Sequence, residues 1–407
     1  MARYCVCYCV GKWQFKAPWR VIVEMKTSLA TLMVKAMLAA LLWCLCSCSD
    51  TEPSAPARRT ILVYAVACNS LSSFLPADME EMEKGLAANV ADTQNCRWLV
   101  YVADYSSDPA LWELKVENGT VTRHRCKKYS DEEASTTPRR LSRVIADVQH
   151  IAPANDYGLI LWSHGAGWNP AHNIGTNKYW FGDDLSQGTA TQHLDITDMA
   201  QAIPKGTFSF IWADCCHLGG IETAYELSDR CSRFIGYPTE VLGQGMPYHL
   251  TVPFLLREQA DVEGAAKAFY DYYNAKSGQQ RAASVCVVNT SRLPALAAAC
   301  RSLMNGRPTP QLGSVQRFHR EETGLGPYYD LRDLCKAFAG GDVNDVRYRA
   351  VCQALDEAVT YAAATPAFLE LRIAPDRFCG LSSYLLMADD PYSDFYRQYR
   401  WCKDVFE

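Results

Sequence analysis

The stretch that decides the predicted fold is FSFIWADCCHLGGIETAY, at residues 208–225. Residues 208–213 form a short apolar run of the kind found in strands that are buried on both faces. A polar tip, Asp-Cys-Cys-His, follows this run, and after two glycines the pattern predicts a helix over residues 221–227. In an open parallel sheet such a tip lies at the carboxyl end of a strand, where catalytic groups collect.

The two cysteines of this tip, Cys215 and Cys216, allow two interpretations. A thiol near a helix N-terminus meets a partial positive charge, which favours the thiolate and nucleophilic chemistry. The alternative is that both cysteines pack in the core as small apolar residues, which is the commoner fate of a cysteine. This stretch alone leaves both interpretations open.

A second apolar run, residues 158–162, ends in Ser-His-Gly-Ala-Gly-Trp. It places His164 at the carboxyl end of a neighbouring strand, followed by glycines that let a ligand approach the backbone. The chain between His164 and Cys216 is long enough for a crossover that contains a helix. A lone histidine at a strand end is usually structural, but a histidine and a cysteine at two such ends fit a thiol nucleophile and its imidazole partner.

These two stretches, LILWSHGAGW and DCCHLGGIETAYEL, resemble the clostripain family of cysteine peptidases, which are relatives of caspases, gingipains and legumains. The family pattern is a hydrophobic strand ending in His-Gly and a second one ending in Asp-Ala-Cys-Leu-Met-Gly. The resemblance places His164 on the catalytic histidine and Cys216 on the nucleophile, with no third triad member. The backbone N–H groups of Gly165 and Cys216 would then form the oxyanion hole.

The second stretch departs from the family pattern, because Cys-Cys-His-Leu stands where the family has Ala-Cys-Leu-Met. Cys215 is therefore a neighbouring candidate for the nucleophile, and His217 could compete for the thiolate. The steps of two residues from Asp214 and three residues to Gly219 favour Cys216.

The resemblance also implies that the enzyme cuts after a basic residue, Arg or Lys. Asp214 falls on the family's pocket aspartate, and a carboxylate binds a guanidinium through two directional hydrogen bonds. Glu240, in the glycine- and proline-rich loop at residues 236–248, is a second candidate acid for substrate binding. The alternatives are a helix cap for Asp214 and a solvated loop acid for Glu240.

Members of the resembling family are often made as zymogens that are cut between the histidine and cysteine strands. The connection here, residues 169–207, contains Lys178 and Lys205. Lys178 lies in a Gly- and Asn-rich segment and is the better candidate for self-cleavage. The resemblance requires no cofactor, but some members use calcium, so Asp183 and Asp184 are candidate ligands. They lack the Asp-x-Asp-x-Asp-Gly spacing of a calcium loop, and no metal site is predicted.

The first 48 residues are predicted to be a targeting segment. A basic start at Met25, an apolar run over residues 29–45 and the sequence Leu-Cys-Ser-Cys resemble a bacterial lipoprotein signal, which implies acylation of Cys48. Residues 49–59 would form a tether. The expected location is the bacterial cell envelope, lipid-anchored or secreted. A plain secretory signal is an alternative, whereas the run is short for a membrane anchor.

The remaining chain predicts an α/β fold with a caspase-like, mainly parallel sheet flanked by helices and a C-terminal α+β extension. Residues 104–137 are expected to be a variable polar excursion. We expect the peptidase domain over residues 60–305 and a C-terminal subdomain over residues 306–407. Outside the two motifs, strands are expected at residues 60–67, 96–103, 234–237 and 283–289, and helices at 76–91, 138–151 and 293–303.

Composition limits the partners of this chain. Its 407 residues are 49% hydrophobic and 21% charged, which suits one large or two modest globular domains. A net charge of −5 gives no overall positive electrostatic potential that would attract nucleic acid. The expected partners are peptide substrates and, through the lipid anchor, a membrane, and the chain is expected to be a monomer. Its 18 cysteines show no regular spacing, so a disulfide framework or zinc site has little support.

Two functions from different classes fit the sequence. A cysteine endopeptidase that cuts after Arg or Lys is favoured, because both His164 and Cys216 are present. The alternative is a catalytically silent relative that binds a peptide or partner in the same cleft, which the changed Cys215 and His217 keep open. A redox or metal role for residues 215–217 is a distant third, since adjacent cysteines bridge poorly.

Overall fold

The computed structural model describes residues 56–130, 132–168, 181–186, 192–319, 326–387 and 392–407. The predicted lipoprotein signal with Cys48, and the predicted cleavage residue Lys178, lie outside the described residues. Residues from Pro56 to Glu407 form one compact unit. Among the helices in the described ranges, none is long and apolar enough to cross a membrane.

Within the described residues, the main sheet has nine strands, and three small two-stranded sheets accompany it. The strands are β1 (Ala57–Val66), β2 (Cys96–Asp104), β3 (Ser107–Glu117), β4 (Thr120–Lys128), β5 (Ala154–Trp162), β6 (Phe181–Asp184), β7 (Gln192–Leu194), β8 (Phe208–Asp214), β9 (Cys231–Gly236), β10 (Ser284–Asn289), β11 (Tyr329–Asp330), β12 (Val359–Ala364), β13 (Ala367–Phe368), β14 (Leu371–Arg372) and β15 (Ser382–Ser383).

The helices lie on both faces of the main sheet. They are α1 (Leu75–Ala87), α2 (Val90–Thr93), α3 (Pro138–Ile151), α4 (Ile196–Ala202), α5 (Ile221–Glu226), α6 (Tyr248–Leu255), α7 (Val262–Asn274), α8 (Leu293–Met304), α9 (Leu331–Phe338), α10 (Val346–Ala358), α11 (Ser393–Tyr396) and α12 (Arg400–Phe406).

The strand order of the main sheet is β12-β10-β9-β8-β5-β1-β2-β3-β4. The five central strands, from β9 to β2, run parallel. Two antiparallel strands complete each edge. Side chains of successive residues alternate between two separate hydrophobic cores, one on each face. Both faces are covered because parallel strands of this apolar kind need burial on both sides, so the predicted α/β class is confirmed.

The helices of each layer pack on the sheet through a stripe of apolar side chains. Helices α1, α6 and α7 pack on one face of the sheet. Helices α3, α4, α5, α8, α9, α10 and α12 contribute to the core on the other face. Helix α3 has the bounds that the sequence predicted: Thr137 caps it by accepting a hydrogen bond from the Arg140 N–H, and Leu141, Val144 and Val148 are buried.

The prediction for residues 104–137 was wrong in part, because most of this segment forms the hairpin of β3 and β4. Strand β4 reads TVTRHRCKK and none of its residues is fully buried. It therefore lacks the apolar alternation that marks a strand in a sequence. Its basic residues suit an exposed sheet edge, which they protect against pairing with other chains.

The C-terminal part of the chain shares the main sheet with the rest, since β12 pairs with β10 at one edge. It also carries two of the short ribbons, β11 with β15 and β13 with β14. The expected α+β extension is therefore present, although one of its strands belongs to the central sheet. The division at residue 305 stays a prediction.

Candidate active site

The two predicted catalytic turns meet at the carboxyl edge of the sheet. Strands β5 and β8 are parallel neighbours, and Trp162 pairs with Asp214. His164 and Cys216 each lie two residues beyond this pair, so the same register carries both turns to one place. A Cβ atom on Gly165 would lie 2.7 Å from the carbonyl oxygen of Cys216. The backbones of the two turns are therefore in direct contact, and only glycine fits at this position.

The neighbouring cysteines face opposite sides of the sheet. Cys215 is completely buried in the core, and its Sγ lies 3.1 Å from the carbonyl oxygen of Leu161. Burial raises the pKa of the Cys215 thiol well above its usual value. Cys216 is partly exposed on the other face. This arrangement favours Cys216 as the nucleophile and makes Cys215 a packing residue.

The Cys216 thiol lies against the glycine- and proline-rich loop at residues 236–248. The Val241 N–H donates to its Sγ over 3.4 Å, and its Sγ lies 3.8 Å from the Val241 carbonyl oxygen. Burial raises the pKa of the Cys216 thiol to about 12, and the charges of Glu240 and Asp214 add to this effect. The sulfur is thus held as a neutral thiol at physiological pH.

This state corrects the expectation that a helix end lowers the pKa of the Cys216 thiol. Helix α5 begins only at Ile221, so several residues separate its N-terminus from the sulfur. The helix has six residues, and its charge effect fades within its first turn. Desolvation outweighs the charge of the helix N-terminus because it acts on the sulfur directly.

The His164 turn is held from two sides. The Nε2 atom of His164 lies 2.9 Å from the Oγ of Ser70, which follows β1. The carbonyl oxygen of His164 accepts a hydrogen bond of 3.0 Å from the Gly182 N–H of β6, and Gly165 forms an isolated bridge with Phe181. Sequence analysis did not identify Ser70, although it lies in a polar segment at the carboxyl end of a strand.

Asp214 is buried beneath the loop at residues 236–248. Its carboxylate accepts hydrogen bonds from the hydroxyls of Tyr237 and Tyr248, at 3.0 and 3.1 Å. It also accepts one from the Met246 N–H at 3.2 Å. Burial raises the pKa of Asp214 to about 6 against these donors. Helix α5 has no side-chain cap, and its N-cap residue is Gly220, so Asp214 does not act as its helix cap.

A second buried carboxylate, Asp78 on α1, was missed by the sequence analysis. Its Oδ2 accepts a hydrogen bond of 2.7 Å from the indole N–H of Trp162. Burial and the negative charge of Asp214 raise the pKa of Asp78 to about 8. A signal was available, because Asp78 lies on the same helix face as the buried residues Leu75 and Met82.

We expect Asp78→Asn to stabilise the protein at alkaline pH. The pKa of Asp78 is raised in the folded state, so the folded protein binds the extra proton and loses stability as pH rises from about 4 to about 8. Asparagine does not ionise and escapes this loss. Relative to wild type, the free energy of unfolding should gain about 4 kcal/mol between pH 5 and pH 8.5, because about three pH units lie below the raised pKa and each is worth about 1.4 kcal/mol. Denaturant melts at both pH values measure it, and parallel curves would contradict the raised pKa.

Two other residues that the sequence singled out have defined surroundings. Glu240 is half-buried and its charge raises the pKa of the Cys216 thiol, so it lies within electrostatic range of the nucleophile. His217 has a positive φ of 57°. Its ring stacks on that of Tyr328, with 4.7 Å between centroids and 14° between planes. This stacking gives His217 a structural role.

The C-terminal part of the chain braces both catalytic turns. The hydroxyl of Tyr328 donates to the carbonyl oxygen of Ala166, and the hydroxyl of Tyr399 donates to that of Trp168 over 2.8 Å. The Ser382 N–H donates to the carbonyl oxygen of Gly219 over 3.1 Å. These contacts show that the site depends on residues far along the chain.

The candidate calcium ligands Asp183 and Asp184 have hydrogen-bond partners within the protein. Both oxygens of Asp184 accept backbone N–H groups, from Ser135 at 2.5 Å and from Ser186 at 2.9 Å. Asp183 lies 3.3 Å from the Nε2 of His193. Calcium takes six to eight oxygen ligands, and the described ranges contain no cluster of three His, Cys, Asp or Glu side chains that could hold a metal.

Comparison with known families decides the assignment. The model of the clostripain family, peptidase family C11, matches residues 63–407. The chain belongs to the clostripain family. It is therefore a cysteine peptidase, and the fold and motifs described above are those of this clostripain-family protein.

Two solved structures are similar to this clostripain-family chain over most of its length. One is an inactive zymogen C11 protease from Parabacteroides distasonis, with 28% identity, a TM-score of 0.74, and coverage of 87% of this chain and 99% of that one. The other is a secreted C11 cysteine protease from Bacteroides thetaiotaomicron in complex with an irreversible peptide inhibitor, with 27% identity, a TM-score of 0.74, and coverage of 86% and 99%. The comparison with curated proteins gave no match.

Proposed function

We propose that this cysteine peptidase cuts peptide bonds after Arg or Lys, with His164 and Cys216 as its catalytic dyad. The observation that carries the proposal is the meeting of the two turns, with a partly exposed thiol and a buried acid two residues before it. A thiol and an imidazole at one sheet edge supply a nucleophile and a general acid. The oxyanion formed in the reaction would be bound by the backbone N–H groups of Gly165 and Cys216.

Preference for a basic residue rests on Asp214. Two hydroxyls and one backbone N–H donate to its carboxylate, and none of these donors is charged. Burial and the charge of Asp214 raise the pKa of Asp78 to about 8, so Asp78 is protonated at neutral pH and Asp214 carries the buried negative charge. A buried charge without a counter-ion is costly, and a substrate guanidinium or ammonium would neutralise it. Glu240, near the nucleophile, is a second candidate acid at the rim of the site.

A panel of fluorogenic peptides that differ only in the residue before the cut tests this specificity. We expect turnover after Arg and Lys, and little after Asp or Asn. Turnover after Asp would overturn the assignment of the pocket. If no peptide is hydrolysed, either before or after trypsin treatment, the result would instead favour a relative that binds peptides without cutting them.

We also infer that the arrangement described here is a latent form. The Val241 backbone lies against the Cys216 sulfur, and the raised pKa keeps the thiol neutral, so the loop must move before a substrate carbonyl can approach. Self-cleavage at Lys178 would supply such a change. N-terminal sequencing after incubation should find a new terminus at residue 179 in wild type and none in Cys216→Ala. An intact wild-type chain that is fully active would reject this step.

The expected envelope location rests on the lipoprotein-like segment that ends at Cys48. We propose that this cysteine is acylated after removal of the preceding residues. Metabolic labelling with a fatty acid should mark the wild-type protein and leave Cys48→Ala unlabelled. A wild-type protein that is exported but carries no lipid would indicate a plain secretory signal.

A further inference from the structure

We propose that Ser70 is a positioning residue for His164. Its Oγ lies 2.9 Å from the Nε2 atom of the His164 ring, a normal hydrogen-bond distance. The two residues are 94 positions apart in the chain, and they meet because β1 and β5 are parallel neighbours. The proposal rests on the peptidase function proposed above and assigns the hydroxyl a role in it.

The turn that carries Ser70 is built as a rigid support. The preceding residue, Asn69, is buried. Its Nδ2 donates to the carbonyl oxygens of Val66 and Asp183, at 3.0 and 2.7 Å, and its Oδ1 accepts the Leu71 N–H at 2.8 Å. The backbone on both sides of Ser70 is therefore tied down, which fixes the position from which its exposed side chain reaches the histidine.

The same network reaches the residue next to the catalytic histidine. The Nδ2 of Asn69 lies 3.3 Å from the Oγ of Ser163, and that Oγ donates to the carbonyl oxygen of Val66 over 2.7 Å. Residues 163 and 164 are thus both held by the turn after β1, one through Asn69 and one through Ser70. Such a support fixes the orientation of the imidazole before substrate arrives.

The chemical role follows from the two nitrogens of imidazole. With Nε2 directed at Ser70, proton transfer falls to Nδ1. When the Cys216 thiol ionises, its S–H bond breaks and the proton moves to Nδ1, which leaves a thiolate and an imidazolium. Both ring nitrogens then carry protons, and Nε2–H can only donate to the Ser70 oxygen. The Nδ1 proton later passes to the leaving amine as the C–N bond breaks and the acyl-enzyme remains.

Ser70 therefore stabilises the charged form of the ring and orients it. The titratable groups on the segments around this turn include Cys68 after β1, Asp104 and Tyr105 at the end of β2, Asp183 and Asp184 on β6, His193 on β7, and Cys216 itself. Burial raises the pKa of Cys68 to about 12, so it stays neutral while the site titrates.

We expect Ser70→Ala to lower kcat about tenfold and to change KM by less than about twofold, because the lost bond acts on the catalytic step. The alkaline limb of the kcat/KM profile should move to lower pH by about half a pH unit, since the imidazolium loses an acceptor and gives up its proton more easily. Ser70→Thr keeps the hydroxyl and should restore most of the activity. It should also return the alkaline limb of the kcat/KM profile to its wild-type pH.

A matched control is Ser73→Ala, since Ser73 is exposed and lies three residues along the same segment. It should behave as wild type. Ser70→Ala with unchanged kcat and an unmoved alkaline limb would overturn the proposal, as would Ser70→Thr being as impaired as Ser70→Ala.

A second measurement separates this proposal from the proposed function. NMR titration of histidine-labelled protein, with the His164 signal assigned through His164→Gln, requires no turnover. The titration midpoint of the His164 ring should fall in Ser70→Ala even if no peptide is cut. An unchanged midpoint would overturn the positioning role. If the midpoint shifts but none of the peptides is hydrolysed, the result would count against the peptidase specificity alone.

Discussion

Cys216→Ala is expected to abolish peptide hydrolysis, with a loss of about 10⁴-fold or more in kcat, because no other group can form the acyl-enzyme. Cys215→Ala provides the matched control. Cys215 is the adjacent cysteine but is buried on the opposite face, so this variant should lose some stability and keep the kcat of wild type. Turnover of a fluorogenic peptide with Arg before the cut measures both.

Mass spectrometry of the alkylated protein supplies an independent check on the same pair. A peptide inhibitor with an electrophilic carbon should add once to wild type and to Cys215→Ala, and not at all to Cys216→Ala. If folded Cys215→Ala loses activity and labelling while Cys216→Ala keeps them, the adjacent thiol is the nucleophile and the assignment is wrong.

Asp214→Asn is expected to lower kcat/KM for Arg and Lys peptides by about 10²- to 10³-fold, because a buried carboxylate that binds a cation loses both its charge and its hydrogen bonds. Peptides with an uncharged residue before the cut should lose much less. The comparison between basic and uncharged peptides is the measurement, with Glu240→Gln as a parallel variant for the acid nearer the rim.

The wild-type enzyme should show the same dependence on the charge of Asp214 when the pH is varied. The pKa of Asp214 is about 6, so its carboxylate gains a proton as pH falls below 6 and the attraction for a basic side chain fades. The kcat/KM for Arg peptides should therefore fall below about pH 6, and Asp214→Asn should lack this limb. An equal loss on all peptides would show that Asp214 only anchors Tyr237 and Tyr248.

Local patterns predicted much of the fold. Helix α3 was predicted because its apolar residues, among them Leu141, Val144 and Val148, share one face within its own length. The strands that carry the two turns were predicted because their apolar runs are continuous. The hairpin of β3 and β4 was missed, since β4 is held in the sheet by main-chain pairing with β3 and not by buried side chains.

For the candidate site, the spacing from Asp214 and to Gly219 favoured Cys216 over Cys215, and the structure buries Cys215 in the core. The same reasoning missed Asp78, Ser70 and the tyrosines that surround Asp214. Their contacts span 84 positions for Asp78 with Trp162 and 94 for Ser70 with His164. The helix face of Asp78 signals that it is buried, but a single sequence contains no local signal for which distant residue it meets.

The sequence by itself determined which family this protein belongs to, where its strands end, and which histidine and cysteine stand at those ends. These properties depend on residues next to one another in the chain. Only the tertiary structure decided that the thiol is neutral beneath Val241, that Ser70 meets the imidazole, and that the C-terminal tyrosines brace the turns. Desolvation and long-range hydrogen bonds arise from distant segments packed together, so they exist only once the chain has folded.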